Sequence, residues 1–363
     1  MIAITRQLHE LGQRLWVDNI NREMLSKGAL KRYIADWSVT GLTSNPTIFE
    51  KAIGSGEDYD ESITRLAGQG LAPEGLFFAL ALEDLRMAAD LFRPIFDASH
   101  GLDGWASIEV SPLLADNSSK TIKKALALHK AADRPNIFIK IPGTPAGADA
   151  IEQSIYNGVP VNVTLLFSTE QYRVAAEAYL RGLERRLMTG LDAKVSSVAS
   201  LFVSRWDAAV KDRVAPELHN RLGIAMAMST YKAYRDLLAT PRWQRLADAG
   251  ARPQRLLWAS TGTKDPSAPD TLYVDALAAP DTINTMPEKT LRAFAEHGHV
   301  GAPPPYDGGG AEAVLADFEV AGVDIQALAS RLQREGADAF SNSWAALLSR
   351  IEDKSKSLAG TGA

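Results

Sequence analysis

The sequence predicts an α/β protein folded as a closed (β/α)8 TIM barrel, with an extra N-terminal helix and a C-terminal helical extension. Three observations carry this. Eight short, β-rich apolar runs alternate with longer stretches of helical spacing, the pattern of βαβ units around a parallel sheet. Several of these runs are apolar almost throughout, as strands covered on both faces should be. The chain has 363 residues, enough for the roughly 250 that such a barrel needs, with additions.

Taken in order, residues 4–14 read as the extra helix, since apolar and charged residues alternate there at helical spacing. Strands are expected over 15–18, 38–44, 106–111, 136–141, 161–167, 196–203, 256–260 and 282–286. Helical stretches lie between them, among them 119–132, 146–156, 169–189 and 229–238. The rival fold, an open doubly wound sheet, calls for a Gly-rich turn after the first strand. Here that strand runs into Asp18-Asn19-Ile20. After the last strand, 288–297 reads as one helix, 298–310 as a loop rich in Gly and Pro, and 311–334 and 338–353 as two further helices. Residues 1–352 are expected to form one domain, and the polar stretch 353–363 a disordered tail.

Apolar residues make up 46% of the chain and charged residues 23%, which suits a large core under a polar surface. The net charge of −5 gives no overall attraction to nucleic acid or anionic lipid, so an anionic ligand needs a local cluster of donors. The absence of cysteine removes disulfides, thiolate nucleophiles and Cys-based zinc sites. The N-terminal stretch has no continuous apolar signal region, and no run approaches the ~18 apolar residues of a membrane span. The expectation is a cytoplasmic protein without nucleic-acid or membrane partners, a monomer or homodimer.

In such a barrel, chemistry gathers at the C-terminal ends of the strands. The polar residues that interrupt or end the expected strands are therefore the candidates: Asp18, Thr43, Asn45, Glu109, Lys140, Asn162, Thr164, Ser200, Arg205 and Ser260. Lys140 stands out, inside Asn136-Ile-Phe-Ile-Lys-Ile-Pro142. A lysine in an apolar strand is costly to bury unless paired or neutral, and an uncharged amine is what Schiff-base chemistry needs. The alternative is a strand-end lysine whose head reaches the rim. Asp18 suits proton exchange with a substrate hydroxyl, or else caps the next helix. Glu109 breaks an apolar strand, as an acid–base group or as a core ion pair with Lys140. Thr164 suits holding a water against Glu109, though threonine is common in strands. Ser200 and Arg205 lie at one strand end, and Ser260-Thr-Gly-Thr-Lys264 follows the next. Hydroxyls with an arginine and Lys264 suit a phosphate; the alternative for both is a solvated loop. Gly308-Gly309-Gly310 fits a flexible linker better than a phosphate cradle. His297 and His299 have no third ligand nearby in sequence, so no metal site is expected.

Three segments, Gly41-Leu-Thr-Ser-Asn-Pro-Thr-Ile-Phe49, Asn136-Ile-Phe-Ile-Lys-Ile-Pro142 and Val161-Asn-Val-Thr-Leu-Leu-Phe-Ser168, resemble the transaldolase family in order and spacing. The likeness runs from about residue 15 to about residue 287, and the C-terminal extension resembles the longer bacterial branch. It implies that Lys140 is the Schiff-base lysine and Asp18 the acid–base carboxylate. It implies that Glu109 and Thr164 position a catalytic water, that Asn45 and Asn162 hold substrate hydroxyls, and that Ser200 and Arg205 bind phosphate; Thr43, at a strand end beside them, is expected to meet substrate as well. The family's second phosphate-binding arginine is missing after the seventh strand, where Ser260 and Lys264 stand in its place.

The resemblance implies transfer of a dihydroxyacetone unit between sugar phosphates, with no cofactor or metal, because an iminium on Lys140 is the electron sink. One alternative is a fructose 6-phosphate aldolase that releases free dihydroxyacetone. The other, from a different class, is a non-catalytic sugar-phosphate binder, which would have no use for Lys140 and Asp18 together.

Overall fold

The computed structural model describes residues 3–360. Eight strands form a closed barrel: β1 (Arg14–Asp18), β2 (Val39–Thr43), β3 (Trp105–Glu109), β4 (Ile137–Pro142), β5 (Val161–Leu166), β6 (Ser197–Phe202), β7 (Arg255–Ala259) and β8 (Ile283–Met286). Each strand pairs in parallel with its neighbour, and β8 returns to β1. The fold expected from the sequence is the fold found.

Strand alternation divides the core in two. Leu15, Val17, Ile139, Ile141, Ala199 and Leu201 point outward into the apolar layer beneath the helices. Trp16, Trp105, Phe138, Val198, Leu257 and Ile283, one residue out of step, fill the barrel interior. Trp105 stacks on Phe138 with ring centroids 4.0 Å apart. Gly41 of β2 makes room for this filling: a Cβ there would lie 2.5 Å from the Trp16 ring. Two residues further along, the inward positions turn polar, with Asp18, Thr43, Ser107, Lys140, Ser200 and Thr285. The interior is thus hydrocarbon below and polar at the C-terminal mouth.

Two local irregularities shape that mouth. The β5–β6 register shifts between Val163 and Leu166, and Leu165 has φ +59°, a conformation costly for a branched residue. The shift turns Leu165 and Phe167 inward. Ser260, just past β7, also has positive φ, +55°.

The N-terminal helix is shorter than expected, Ile4–Leu11, ended by Gly12 at φ +105°. The C-terminal region differs more. The two expected helices become Ala311–Val320 and one long helix, Ile325–Gly360. The expected break lay near Gly336, where glycine costs about 1 kcal/mol of helix propensity. Tertiary packing overrides that cost, because Gly336 sits against Leu165 and Arg205. The stretch from Asp353, expected as a disordered tail, stays helical to Gly360. Lys354 anchors it, donating to the carbonyls of Ile53 (3.2 Å) and Gly56 (2.6 Å) and pairing with Asp60 at 2.6 Å. Residues 361–363 of that expected tail lie outside the described residues. No helix among the described residues is long and apolar enough to cross a membrane.

Candidate active site

A cavity opens at the C-terminal mouth, the face of such a barrel where sites gather. Its lining includes Asp18, Thr43, Asn45, Lys140, Thr164, Ser200, Arg205, Ser260 and Lys264. Nine of the eleven residues singled out in the sequence thus meet at one place. Glu109 and Asn162 lie just beneath, as the neighbours of Lys140 in the β3–β4 and β4–β5 pairings.

Lys140 is 5% exposed, so its head does not reach the rim. Its Nζ donates to the carbonyl of Ser44 at 3.0 Å and lies 3.4 Å from Glu109 Oε2. Beyond that ion pair, neither Glu109 oxygen has a hydrogen-bond partner among the described residues, and the Thr164 hydroxyl has none either. Buried polar atoms without a protein partner, on the strands flanking β4, offer a place to a small polar guest. Burial pushes the Glu109 carboxyl above its ordinary value; Lys140 opposes this and Asp18 adds to it.

Asp18 does not cap the following helix; Asn21 does, accepting from the Met24 N–H at 2.7 Å. Asp18 is a half-buried residue in the cavity wall. Burial dominates its titration and raises its pKa, against Lys140, the Thr43 hydrogen bond and Lys264. Thr43 donates to Asp18 at 2.7 Å, and its oxygen lies 2.6 Å from the Thr285 hydroxyl. Thr43, itself bonded to Thr285, fixes the orientation of the carboxylate.

Asn45 caps the helix Pro46–Gly54 through its side-chain oxygen, which accepts from the Ile48 N–H at 3.0 Å. Its amide nitrogen takes no part in a protein hydrogen bond among the described residues. Asn162 is committed on both ends: it donates to Ser107 (3.3 Å) and accepts from Ser200 (2.7 Å). The Ser200 hydroxyl therefore spends its only proton inward, and both residues brace the cavity floor.

Arg205 also lines the cavity, its guanidinium 5.2 Å from the Phe202 ring centre. It makes no hydrogen bond or ion pair with the protein among the described residues. Burial works against its charge and Glu335 works for it, but a guanidinium stays charged in a protein. A half-buried cation with an empty fork is an anion receptor. Ser260 shares a hydrogen bond with Ser204 at 3.0 Å, and the exposed Lys264 closes the rim.

Sequence reading missed Phe202, Gly262, Thr285, Pro287 and Phe340, all in the cavity lining. Thr285 carried a usable signal, a hydroxyl in an expected strand. Phe202 lay between Ser200 and Arg205 but read as core. Phe340 sits on the C-terminal helix, far from any strand end. The weaker candidates lie elsewhere: His297 pairs with Asp270 on the surface at 2.8 Å, and Gly308 packs against the backbone of Met228. Among the described residues no three His, Cys, Asp or Glu side chains are grouped to hold a metal ion.

Residues 15–351 match the family model described as Transaldolase/Fructose-6-phosphate aldolase. The chain is 46% identical over 358 residues to a transaldolase of Parafrankia sp. (strain EAN1pec), covering 96% of each chain. It is 44% identical over 355 residues to a transaldolase of Saccharopolyspora erythraea, again covering 96% of each. A transaldolase of Thiobacillus denitrificans is 43% identical over 356 residues, which is 96% of this chain and 99% of that one.

Proposed function

The chain belongs to the transaldolase/fructose-6-phosphate aldolase family, and on that premise we propose that it carries out the transaldolase reaction through a Schiff base on Lys140. It is a transferase of carbohydrate metabolism, and in this reading its reaction is the transaldolase step of the pentose phosphate pathway. In this reading a dihydroxyacetone unit passes from sedoheptulose 7-phosphate or fructose 6-phosphate to glyceraldehyde 3-phosphate or erythrose 4-phosphate. In the same reading the reaction runs in the cytoplasm. The observation that carries the proposal is a buried lysine amine paired with Glu109 in a cavity that Asp18 and an unpartnered arginine also line.

The ketose phosphate enters with its phosphate on Arg205, Ser260 and Lys264 and its carbonyl carbon at Lys140. Nζ adds to that carbon, and the carbinolamine loses water to give an iminium. Glu109 and the Thr164 hydroxyl, having no other protein hydrogen bond, hold the water that moves these protons. Asp18 takes the proton of the C4 hydroxyl, the C3–C4 bond breaks, and its electrons flow into the iminium. Asn45 offers its free amide nitrogen to a hydroxyl of the three-carbon unit, over the floor braced by Asn162 and Ser200. The aldose phosphate leaves, the enamine waits on Lys140, and a second aldose phosphate takes up the unit by the reverse steps.

The direct test is borohydride reduction of the enzyme incubated with fructose 6-phosphate, read by intact mass. A three-carbon adduct is expected, and adding erythrose 4-phosphate before reduction should discharge it as sedoheptulose 7-phosphate. A folded enzyme that traps nothing would end the Schiff-base reading.

Two substitutions probe the phosphate end. Arg205→Lys keeps the charge but loses the fork. The KM for fructose 6-phosphate is expected to rise roughly 10- to 100-fold, from the 1.5–3 kcal/mol of a charged hydrogen bond. The KM for unphosphorylated fructose should stay unchanged; an equal rise for both sugars would place Arg205 outside phosphate binding. Gly336→Ala acts from the helix above. A Cβ there would lie 2.9 Å from Leu165 Cδ2 and 3.2 Å from Arg205 Nη1, so both side chains must shift. Stability should move by no more than about 1 kcal/mol, since better helix propensity offsets the crowding. The KM for sugar phosphate should rise roughly tenfold as Arg205 is displaced; an unchanged KM would show that Arg205 yields without consequence.

A further inference from the structure

The helix Ile325–Gly360 lies across the barrel mouth and is fixed on both sides of it. On one side Gln333 donates to the carbonyls of Gly143 (3.0 Å) and Leu165 (2.9 Å), at the ends of β4 and β5. On the other, Ser343 shares a hydrogen bond with Thr47 at 2.8 Å, and Trp344 packs on Phe77 and Phe78 with ring centroids 5.0 and 5.5 Å away. Between these anchors the helix lowers one side chain into the cavity, Phe340. It is 6% exposed, and its ring centre lies 6.0 Å from Lys140 Nζ. A ring held this way is a fixed wall over the amine.

We propose that Phe340 decides the fate of the three-carbon unit on Lys140, shielding it from water so that an aldose phosphate, not a proton, takes it up. The proposal rests on the Schiff-base reading of Lys140. After C3–C4 cleavage the enamine carbon is nucleophilic and has two possible electrophiles. If it attacks the aldehyde carbon of an aldose phosphate, a carbon–carbon bond forms and the aldehyde oxygen takes a proton. If it takes a proton from water, an iminium of dihydroxyacetone is left. The hydroxide released, or another water, then adds to C2, Nζ departs, and free dihydroxyacetone is lost. Phe340 has no proton to give and occupies the space a water would need. Its π face also favours the cationic iminium that precedes cleavage.

The measurement is the ratio of free dihydroxyacetone to sedoheptulose 7-phosphate, with fructose 6-phosphate and erythrose 4-phosphate as substrates. Phe340→Ala is expected to raise that ratio about tenfold, the scale of losing a desolvated aromatic contact to a cation. Phe340→Leu, which keeps most of the volume, should stay within roughly twofold of wild type. If the alanine chain fails to fold, Phe340→Val carries the test with a rise of about threefold. A merely structural residue would lower both products together; an unchanged ratio in the folded variant overturns the proposal. Borohydride trapping on each variant separates the two ideas. No adduct on wild type would sink the Schiff base itself, whereas an adduct with an unmoved ratio would sink only the role of Phe340.

Discussion

Lys140→Met is expected to lose transaldolase turnover by at least about 10⁴-fold, the scale seen when a covalent nucleophile is removed, and to trap no adduct under borohydride. Methionine keeps most of the length and volume of the side chain, so the barrel interior stays filled. What it cannot do is add to a carbonyl. The rest of the site would survive: Arg205 still binds phosphate, so sugar phosphate should compete for the cavity with near wild-type affinity. The variant also tests the ion pair. Among the described residues Glu109 has only Lys140 within salt-bridge distance, at 3.4 Å, and removing one partner of a buried pair costs about 3–5 kcal/mol if the other stays charged. Glu109 has an escape, because burial already raises its pKa and losing the cation raises it further. A carboxyl whose folded pKa lies above its unfolded value weighs on the fold while ionised, and the weight lifts as pH falls through the folded pKa. The variant should therefore be less stable than wild type at pH 8, with the gap narrowing toward pH 5 in urea melts. An adduct that persists in Lys140→Met would mean another amine does the chemistry, with Lys264 the next candidate in the cavity.

The sequence made Lys140, Glu109 and Asp18 visible for one physical reason. Parallel barrel strands are apolar on both faces, so a charged residue within or at the end of one needs an explanation. The same contrast located all eight strands, each to within two residues. It fails where polarity carries no contrast. Phe340 is an aromatic on a helix full of apolar residues, and only the path of that helix brings it over Lys140. Phe202 looked like any strand-end aromatic until the structure set it against Arg205. Gly336 falls in the gap between the two expected helices, yet its missing Cβ is what lets one helix lie on Leu165 and Arg205. The last turns from Asp353 were misjudged because composition shows polarity but not the anchors that Ile53, Gly56 and Asp60 supply to Lys354. Ser200 was legible as a site residue but not as one whose hydroxyl is spent on Asn162.

Asp18→Asn should separate bond cleavage from Schiff-base formation. The amide keeps the shape of the carboxylate and can still accept from Thr43, whose hydroxyl donates to Asp18 at 2.7 Å. It cannot take a proton from the C4 hydroxyl. Turnover is expected to fall by about 10²–10⁴-fold, the usual share of a general base. Imine formation depends on Lys140, Glu109 and Thr164 and should continue. The trapped species should therefore change. Wild type carries the three-carbon adduct, whereas Asp18→Asn should accumulate the adduct of the whole ketose phosphate, heavier by the uncleaved aldose phosphate. Wild type should also show an acid limb in kcat above the ordinary carboxylate range, because burial raises the Asp18 pKa more than Lys140, Thr43 and Lys264 lower it. Only the ionised form accepts the proton, so activity is lost as pH falls through that raised pKa. In Asp18→Asn the residual activity should lack this limb. A variant that builds up the three-carbon adduct as fast as wild type would remove Asp18 from the cleavage step. Glu109, the other carboxyl beside Lys140 and likewise raised in pKa by burial, would then have to take the C4 proton.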